Sequence, residues 1–552
     1  MTAENAMSAP AHPAVEVDSR ARFEFLGAIL LALFLGALDQ TIVGPVLPKI
    51  TTQLKGADYY TWVVTAYLVT STAAIPVYGK LSDYLGRKPM LIVGISLFLV
   101  GSVLSGLSQT MWQLIAFRGV QGLGAGALFP ISLAVIGDLF TPAERGKYQG
   151  LFGAVFGVAF LVGPFLGGVL TDNFGWHYIF FVNVPVGLVS LYLIGRLLPT
   201  VRTAGARFTL DIPGVVTFVC SIVPVLIALT LAENGDWGDP TVLGWFAVGF
   251  VFLIAFLVAE SRVADPMIPL GLFRNRTFSV SAVATFLAVF GFSMLIIFLP
   301  LWFQVVQGAT TTESGYLLFP FLFGLIFSSI LAGQLVSRTG HYKWLIAASM
   351  AVMAIGLYLF HDLRVNTDTP VLWLWMLVAG LGVGPSMAIF TLIVQNDVPF
   401  AMLGTATSDL TLFRQIGTSV GLTIAFTIFR NNLTWGLIHD SVVTAGAPAA
   451  AVPLTAPAGF DPGALTAVGG SGTSALSQVP APLLGFYTDG FHQAFSIAIA
   501  NSVWVGVAAA ALAFLTTLVL HEKPLRAHFH AEQAARAGVR TAANGQAAES
   551  AK

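Results

Sequence analysis

Fourteen runs of predominantly apolar residues follow one another along the chain, near residues 25–46, 60–78, 89–107, 111–140, 146–170, 178–198, 212–231, 242–260, 278–303, 316–336, 344–360, 371–394, 405–430 and 491–520. A helix needs about 20 such residues to cross the hydrocarbon core of a bilayer. The fold expected is an all-α polytopic membrane protein. Composition agrees: 56% of residues are hydrophobic and 10% charged, with a mean hydropathy of +0.82. A soluble chain averages about 25% charged, so a soluble enzyme is excluded. The net charge of −1 and pI of about 6.8 draw in neither nucleic acid nor acidic lipid by bulk charge. The single cysteine, Cys220, excludes an intramolecular disulfide framework and a multi-cysteine metal site.

Basic residues supply orientation, because cytoplasmic loops carry an excess of Lys and Arg. With the N-terminus inside, the cytoplasmic loops and tails hold 20 of the 26 Lys and Arg residues. Both termini are therefore expected in the cytoplasm. The first 22 residues are polar and rich in Ala and Pro, which reads as a disordered cytoplasmic tail rather than a cleaved signal. By parity residues 431–490, rich in Ala, Gly, Pro, Ser and Thr, form a long extracytoplasmic loop, either mobile or a cap over the outer vestibule.

An internal repeat divides the chain. Gly79-Lys80-Leu81-Ser82-Asp83-Tyr84-Leu85-Gly86-Arg87-Lys88 follows the second run, and Gly333-Gln334-Leu335-Val336-Ser337-Arg338-Thr339-Gly340-His341-Tyr342-Lys343 follows the tenth. Both read G-x-L-x-x-x-x-G and then turn basic. This fits two six-helix halves, within 23–200 and 276–520, with two helices inserted between them within 201–275, and a cytoplasmic tail from 521 to 552. Glycines permit close approach and positive φ in a tight loop. Asp83, expected at the N-terminal end of the next helix, lies beside Arg87 and Lys88. The loop is either a charged turn or a latch that docks on the other half in one conformation only. Arg145, in Thr141-Pro142-Ala143-Glu144-Arg145-Gly146, is expected to join the latch charges.

Within the runs, Asp39 is the clearest buried carboxylate. A charge at that depth is expensive, so an intramembrane acid is a functional-site hypothesis. Desolvation suits it to carry a proton reversibly, and a cation competing for the same carboxylate would give antiport; capping a neighbouring helix is the alternative. Arg118 stays protonated; it either acts on a nearby acid or makes a structural ion pair. Arg414, near the cytoplasmic end of its run, either clamps the halves together or snorkels to the interface. Gly157, Gly163, Pro164, Gly167 and Gly168 break a hydrophobic helix. They form a packing face or a hinge on which the halves rock.

These segments resemble the major facilitator superfamily, and within it the fourteen-spanner drug:proton antiporters of the EmrB/QacA type. Gly79–Lys88 is similar to the superfamily's cytoplasmic signature. Leu38-Asp39-Gln40-Thr41-Ile42-Val43 with Leu47-Pro48 is similar to this branch's first-span signature, Arg118–Gly126 to the fourth, and Gly157 with Gly163-Pro164-Phe165-Leu166-Gly167-Gly168 to the fifth-span antiporter signature. In the second half the match rests on Gly333–Lys343 and Leu412-Phe413-Arg414-Gln415-Ile416-Gly417. Gly44-Pro45 departs from the pattern, which questions the helix just outside Asp39. The resemblance implies the major facilitator fold and an exporter rather than an uptake carrier.

The expected function is proton-coupled multidrug export by alternating access across the cell membrane, with export of lipids or glycolipids for the envelope as the alternative. Asp39 and Arg118 are the coupling candidates. Gly79, Asp83, Gly86, Arg87, Lys88, Arg145 and Arg414 form the latch; Gly157, Gly163, Pro164, Gly167 and Gly168 form the hinge. No phosphate-binding loop, metal-ligand spacing or nucleophile–base set presents itself. The chain is read as a non-enzyme with no cofactor beyond the proton gradient. Its partners are hydrophobic small molecules, protons and membrane lipids, without nucleic acid, and the chain is expected to be monomeric.

Overall fold

The computed structural model describes residues 19–56, 59–198, 211–234, 237–455, 481–523 and 525. All regular structure among them is helical, and fourteen helices are long and apolar enough to span a membrane. In chain order they are α1 (Glu24–Gln53), α2 (Tyr60–Leu85), α3 (Arg87–Gly106), α4 (Met111–Leu139), α5 (Glu144–Asn173), α6 (Tyr178–Leu197) and α7 (Ile212–Glu233). They continue with α8 (Pro240–Arg262), α9 (Arg276–Val306), α10 (Phe319–Thr339), α11 (Lys343–Asp362), α12 (Thr369–Asp397), α13 (Leu403–Asn432) and α14 (Leu484–Leu518). Number and order are those expected from the apolar runs. The starts obey local chemistry: Thr110 accepts the Gln113 N–H at 3.3 Å to open α4, and Asn275 accepts the Thr277 N–H at 2.9 Å to open α9.

The packing repeats. In the first half α1 packs on α5 and α6, α2 on α4, and α3 on α4 and α6. In the second, α9 packs on α13 and α14, α10 on α12, and α11 on α12 and α14. Each half has its own core, one around Phe98, Ile131 and Ile136, the other around Phe298, Trp302, Phe321 and Phe360. Two seams join the halves, α2 against α13 and α5 against α10, again matching members of the repeat. Lipid offers no hydrophobic drive between helices, so close packing and polar contacts hold these seams.

The inserted helices sit on one seam only. Helix α7 packs against both α2 and α13, burying Phe218, Ile222 and Leu226 against Val69, Ala73 and Leu412. Helix α8 lies outside α7 and buries only 17% of its most apolar window, against 78% for α12. The Trp237 indole N–H reaches the Thr427 hydroxyl at 2.8 Å and ties the pair to α13.

Several expectations change. Helix α1 continues through Pro45 and Pro48 to Gln53, so Gly44-Pro45 does not break it. The 431–490 stretch is not one continuous loop. It contains the end of α13, a helix at Trp435–Thr444 and the start of α14. That short helix buries Ile438 and Val442 on α14, where Gly490 has no side chain to hold them off. Residues 456–480 lie outside the described residues. Of the expected N-terminal tail, 1–18 lie outside the described residues while Ser19 already starts the helix that becomes α1. Residues 199–210 and the C-terminal tail, apart from 521–523 and 525, are likewise outside.

Candidate functional site

Asp39 and Arg118 meet in the core of the first half. The Arg118 Nη1 donates to Asp39 Oδ2 at 2.6 Å and to Gln121 Oε1 at 2.8 Å. The other carboxylate oxygen, Oδ1, accepts from Gln121 Nε2 at 2.8 Å and from Asn183 Nδ2 at 2.9 Å. Asp39 is 0% exposed and Arg118 2%. Gln121 lies one turn from Arg118 on α4, and Asn183 comes from α6, where Ser102 of α3 also reaches its amide at 3.1 Å. The guanidinium lies 4.2 Å over the Tyr67 ring, a cation–π arrangement. Four helices of the half besides α1 thus enclose one carboxylate. Breaking a buried pair by removing one partner costs about 3–5 kcal/mol, so the two charges constrain each other. A proton on Asp39 would leave Arg118 with Gln121 and the Tyr67 ring, not a bare cation.

The residues expected to form a latch lie at the end of the α2–α13 seam. Asp83 is in the last turn of α2 rather than at the start of α3, and the helix end that it serves belongs to the other half. Its carboxylate accepts the Gly404 N–H at 3.0 Å, the Thr405 N–H at 2.8 Å and the Thr405 hydroxyl at 2.6 Å. A helix N-terminus has unpaired N–H groups and favours an anion. Arg87 holds the same carboxylate at 2.7 Å and Asp138 of α4 at 2.9 Å. Gly404 has to be small: a Cβ there would strike both Asp83 and Arg87. Gly79 likewise lies against Ser408, and Gly86, at φ +95°, turns the chain into α3.

Arg145, expected among the latch charges, bonds to carbonyls rather than to the Asp83 carboxylate. It donates to Phe140 O at 2.9 Å and to Gly137 O at the end of α4, and across the seam to Gln395 O of α12 at 3.2 Å. Gln149 reaches the Gln395 side chain at 2.8 Å. Lys88 is not brought in: half-buried at the start of α3, it makes no ion pair among the described residues. Arg414 does not snorkel. It lies in the interior of α13, 8% exposed, donating to Met387 O at 3.3 Å and stacking 5.3 Å from the Phe129 ring of the first half.

The α5 glycines divide between α1 on one side and, on the other, α10 with the short helix Thr311–Leu317 that precedes it. Gly163 and Gly167 lie against Thr41 and Ile42 of α1, and the Thr41 hydroxyl is 2.9 Å from Ala159 O. Gly157 faces Ile326 of α10, Pro164 touches Gly315, and Gly168 faces Thr312. Gly146, Gly150 and Gly153 extend this contact along α10 against Gly333 and Ser329, and the Ser329 hydroxyl donates to Gly150 O at 3.1 Å. Their four- and three-residue spacing was available in the sequence.

A helical bundle of two matched halves, with a buried acid–base pair and charged ends, is the architecture of a membrane transporter, and the comparisons with known proteins agree. The family model described as Major Facilitator Superfamily matches residues 29–422. The chain belongs to that superfamily and is a transporter, not an enzyme. It is 38% identical over 416 residues to the multidrug transporter protein MdtP of Bacillus subtilis, covering 75% of this chain and 76% of that one. It is 37% identical to multidrug resistance protein 3 of the same organism, covering 75% and 80%. An uncharacterized MFS-type transporter of Mycobacterium tuberculosis is 36% identical over 90% of this chain and 69% of its own length. Among solved structures, the proton:xylose symporter XylE superposes with a TM-score of 0.56 at 14% identity, over 92% of this chain and 98% of that one; this likeness concerns the fold.

Proposed function

We propose that this chain is a proton-coupled secondary exporter of hydrophobic, often cationic, small molecules, working by alternating access. The observation that carries the reading is the fully enclosed Asp39 carboxylate, held by Arg118, Gln121 and Asn183 at mid-span. A site of this kind can exchange a proton for a cation, because each neutralises the same group. The multidrug names of the Bacillus relatives support the substrate class. The halves rock about the α5 glycines, and the Asp83 and Arg145 contacts close one end. That end carries the excess of basic loops, so it is assigned to the cytoplasm, with both termini there. The halves are taken as 23–200 and 276–520, the chain acts as a monomer in the cell membrane, and the proton gradient replaces any bound cofactor.

Ethidium flux in proteoliposomes under an imposed pH gradient tests the reading. Wild type is expected to move ethidium against its gradient, and Asp39→Asn, folded and equally oriented, to lose the gradient-driven part. Absence of driven flux in the wild type would overturn it and direct the assay to labelled lipids, the alternative cargo.

A further inference from the structure

A second carboxyl is buried in the α2–α13 seam. Asp409, in the second turn of α13, is 1% exposed, and neither of its oxygens has a hydrogen-bond partner. The charged groups that act on it are Glu260 at the end of α8 and Asp83 and Lys80 in the last turns of α2. No charged group of α4, α7, α9, α12 or α14 does so among the described residues. The only cation of this set, Lys80, is engaged elsewhere, paired with Asp265, which also takes the Tyr84 hydroxyl. Glu260 is itself 3% exposed, one oxygen accepting the Ile268 N–H at 3.2 Å and the other without a partner. Asp83 is occupied by Arg87 and by the α13 N-terminus.

We propose that Asp409 is a proton-binding site separate from Asp39, occupied while the α2–α13 latch is closed and emptied when it opens. An unpaired carboxylate in such surroundings is strongly disfavoured, and the group neutralises instead. Ionising it in place would set an unpaired negative charge beside the Asp83 and Glu260 carboxyl groups. Hydration relieves that charge only if α13 moves away from α2, which also removes Asp83 from the α13 N-terminus. The sign follows from linkage: the closed form binds the proton more tightly, so closure is favoured at low pH and lost as pH rises. Helices α7 and α8 gain a role as well, because they exclude water from the seam and bring Glu260 to it.

The proposal rests on the alternating-access reading above, and its test keeps the two separable. Spin labels at Leu85 and Thr339, exposed at the latch end of the two halves, report opening in a Cys220→Ser background. The wild type is expected to populate the longer distance increasingly as pH rises, by up to about tenfold per pH unit, the limit for one linked proton. Asp409→Asn, which keeps the shape of the neutral carboxyl, should stay closed across the range, while Asp39→Asn keeps the shift. A wild-type pH response in Asp409→Asn would overturn the proposal. Infrared spectra provide a second readout: a protonated-carboxyl band lost in Asp409→Asn supports the site, and coincident spectra overturn it. An Asp409-dependent shift without gradient-driven ethidium flux would support this site and count against the exporter reading alone.

Discussion

Helices α5 and α13 hold equivalent places in the two halves, yet their N-termini are finished differently. Helix α5 completes itself: Glu144 returns to the Thr141 N–H at 3.1 Å and to its hydroxyl at 3.0 Å, within one turn. Helix α13 begins after Met402, which offers no side-chain cap, and its first N–H groups are taken by Asp83 of the other half. The α5 cap therefore draws only on its own half, whereas the α13 cap is supplied by the other half. The seams follow suit. Along α5–α10, glycines and Ser329 bring backbones together, so side-chain volume sets the contact. Along α2–α13, the Asp83 carboxylate, held by Arg87, makes the contact a charged one.

Four substitutions sharpen or break this contrast. The largest effect is expected from Gly333→Leu, because a Cβ there already meets the Gly146 carbonyl. Overpacking of this kind costs about 1–3 kcal/mol, so both thermal stability and flux should fall; a normal melting temperature with full flux would remove the shape-determined seam. Asp83→Asn removes the negative charge at the α13 N-terminus and opposite Arg87, weakening that hold by about 0.3–2 kcal/mol and raising the open fraction by about 2–30-fold. Flux should drop while ethidium affinity is retained, and full activity would dispose of the latch. Glu144→Gln keeps the reciprocal cap but removes the negative charge from the first turn of α5. That costs about 0.3–1 kcal/mol and should lower stability slightly without shifting spin-label distances. A shift as large as that of Asp83→Asn would erase the contrast. The smallest effect belongs to Pro164→Ala, which restores a backbone N–H to α5 and should slow interconversion severalfold; unchanged flux and unchanged distances would deny α5 a hinge role.

The repeat was the most legible part of the architecture. Gly79 and Gly333 both lie where the halves approach closely, and Gly86 and Gly340 both adopt positive φ, +95° and +73°. Length, order and apolarity of the helices were equally readable, since a span must be long and must satisfy its own backbone. Asp39 and Arg118 stood out because charge is rare in apolar runs. Their neutral partners did not: Gln121 was inside a quoted motif, but Asn183 is 144 residues away from Asp39 and polar amides are unremarkable in a span. The partner of Asp83 was hidden for the same reason, as a helix N-terminus has no signature that says which carboxylate will reach it. Asp409 did not stand out, because it lies only a few residues inside the apolar run at 405–430, where a carboxylate can reach the interface. Lys88 was overvalued because proximity in sequence to Arg87 says nothing about which of two cations faces the seam.

The central claim is that proton and substrate compete at Asp39, and substrate-induced proton release measures this directly. Ethidium added to the purified wild type in weakly buffered solution should release protons in proportion to binding, and Asp39→Asn should bind without that release. Equal proton release from the two proteins, at equal occupancy, would contradict the account.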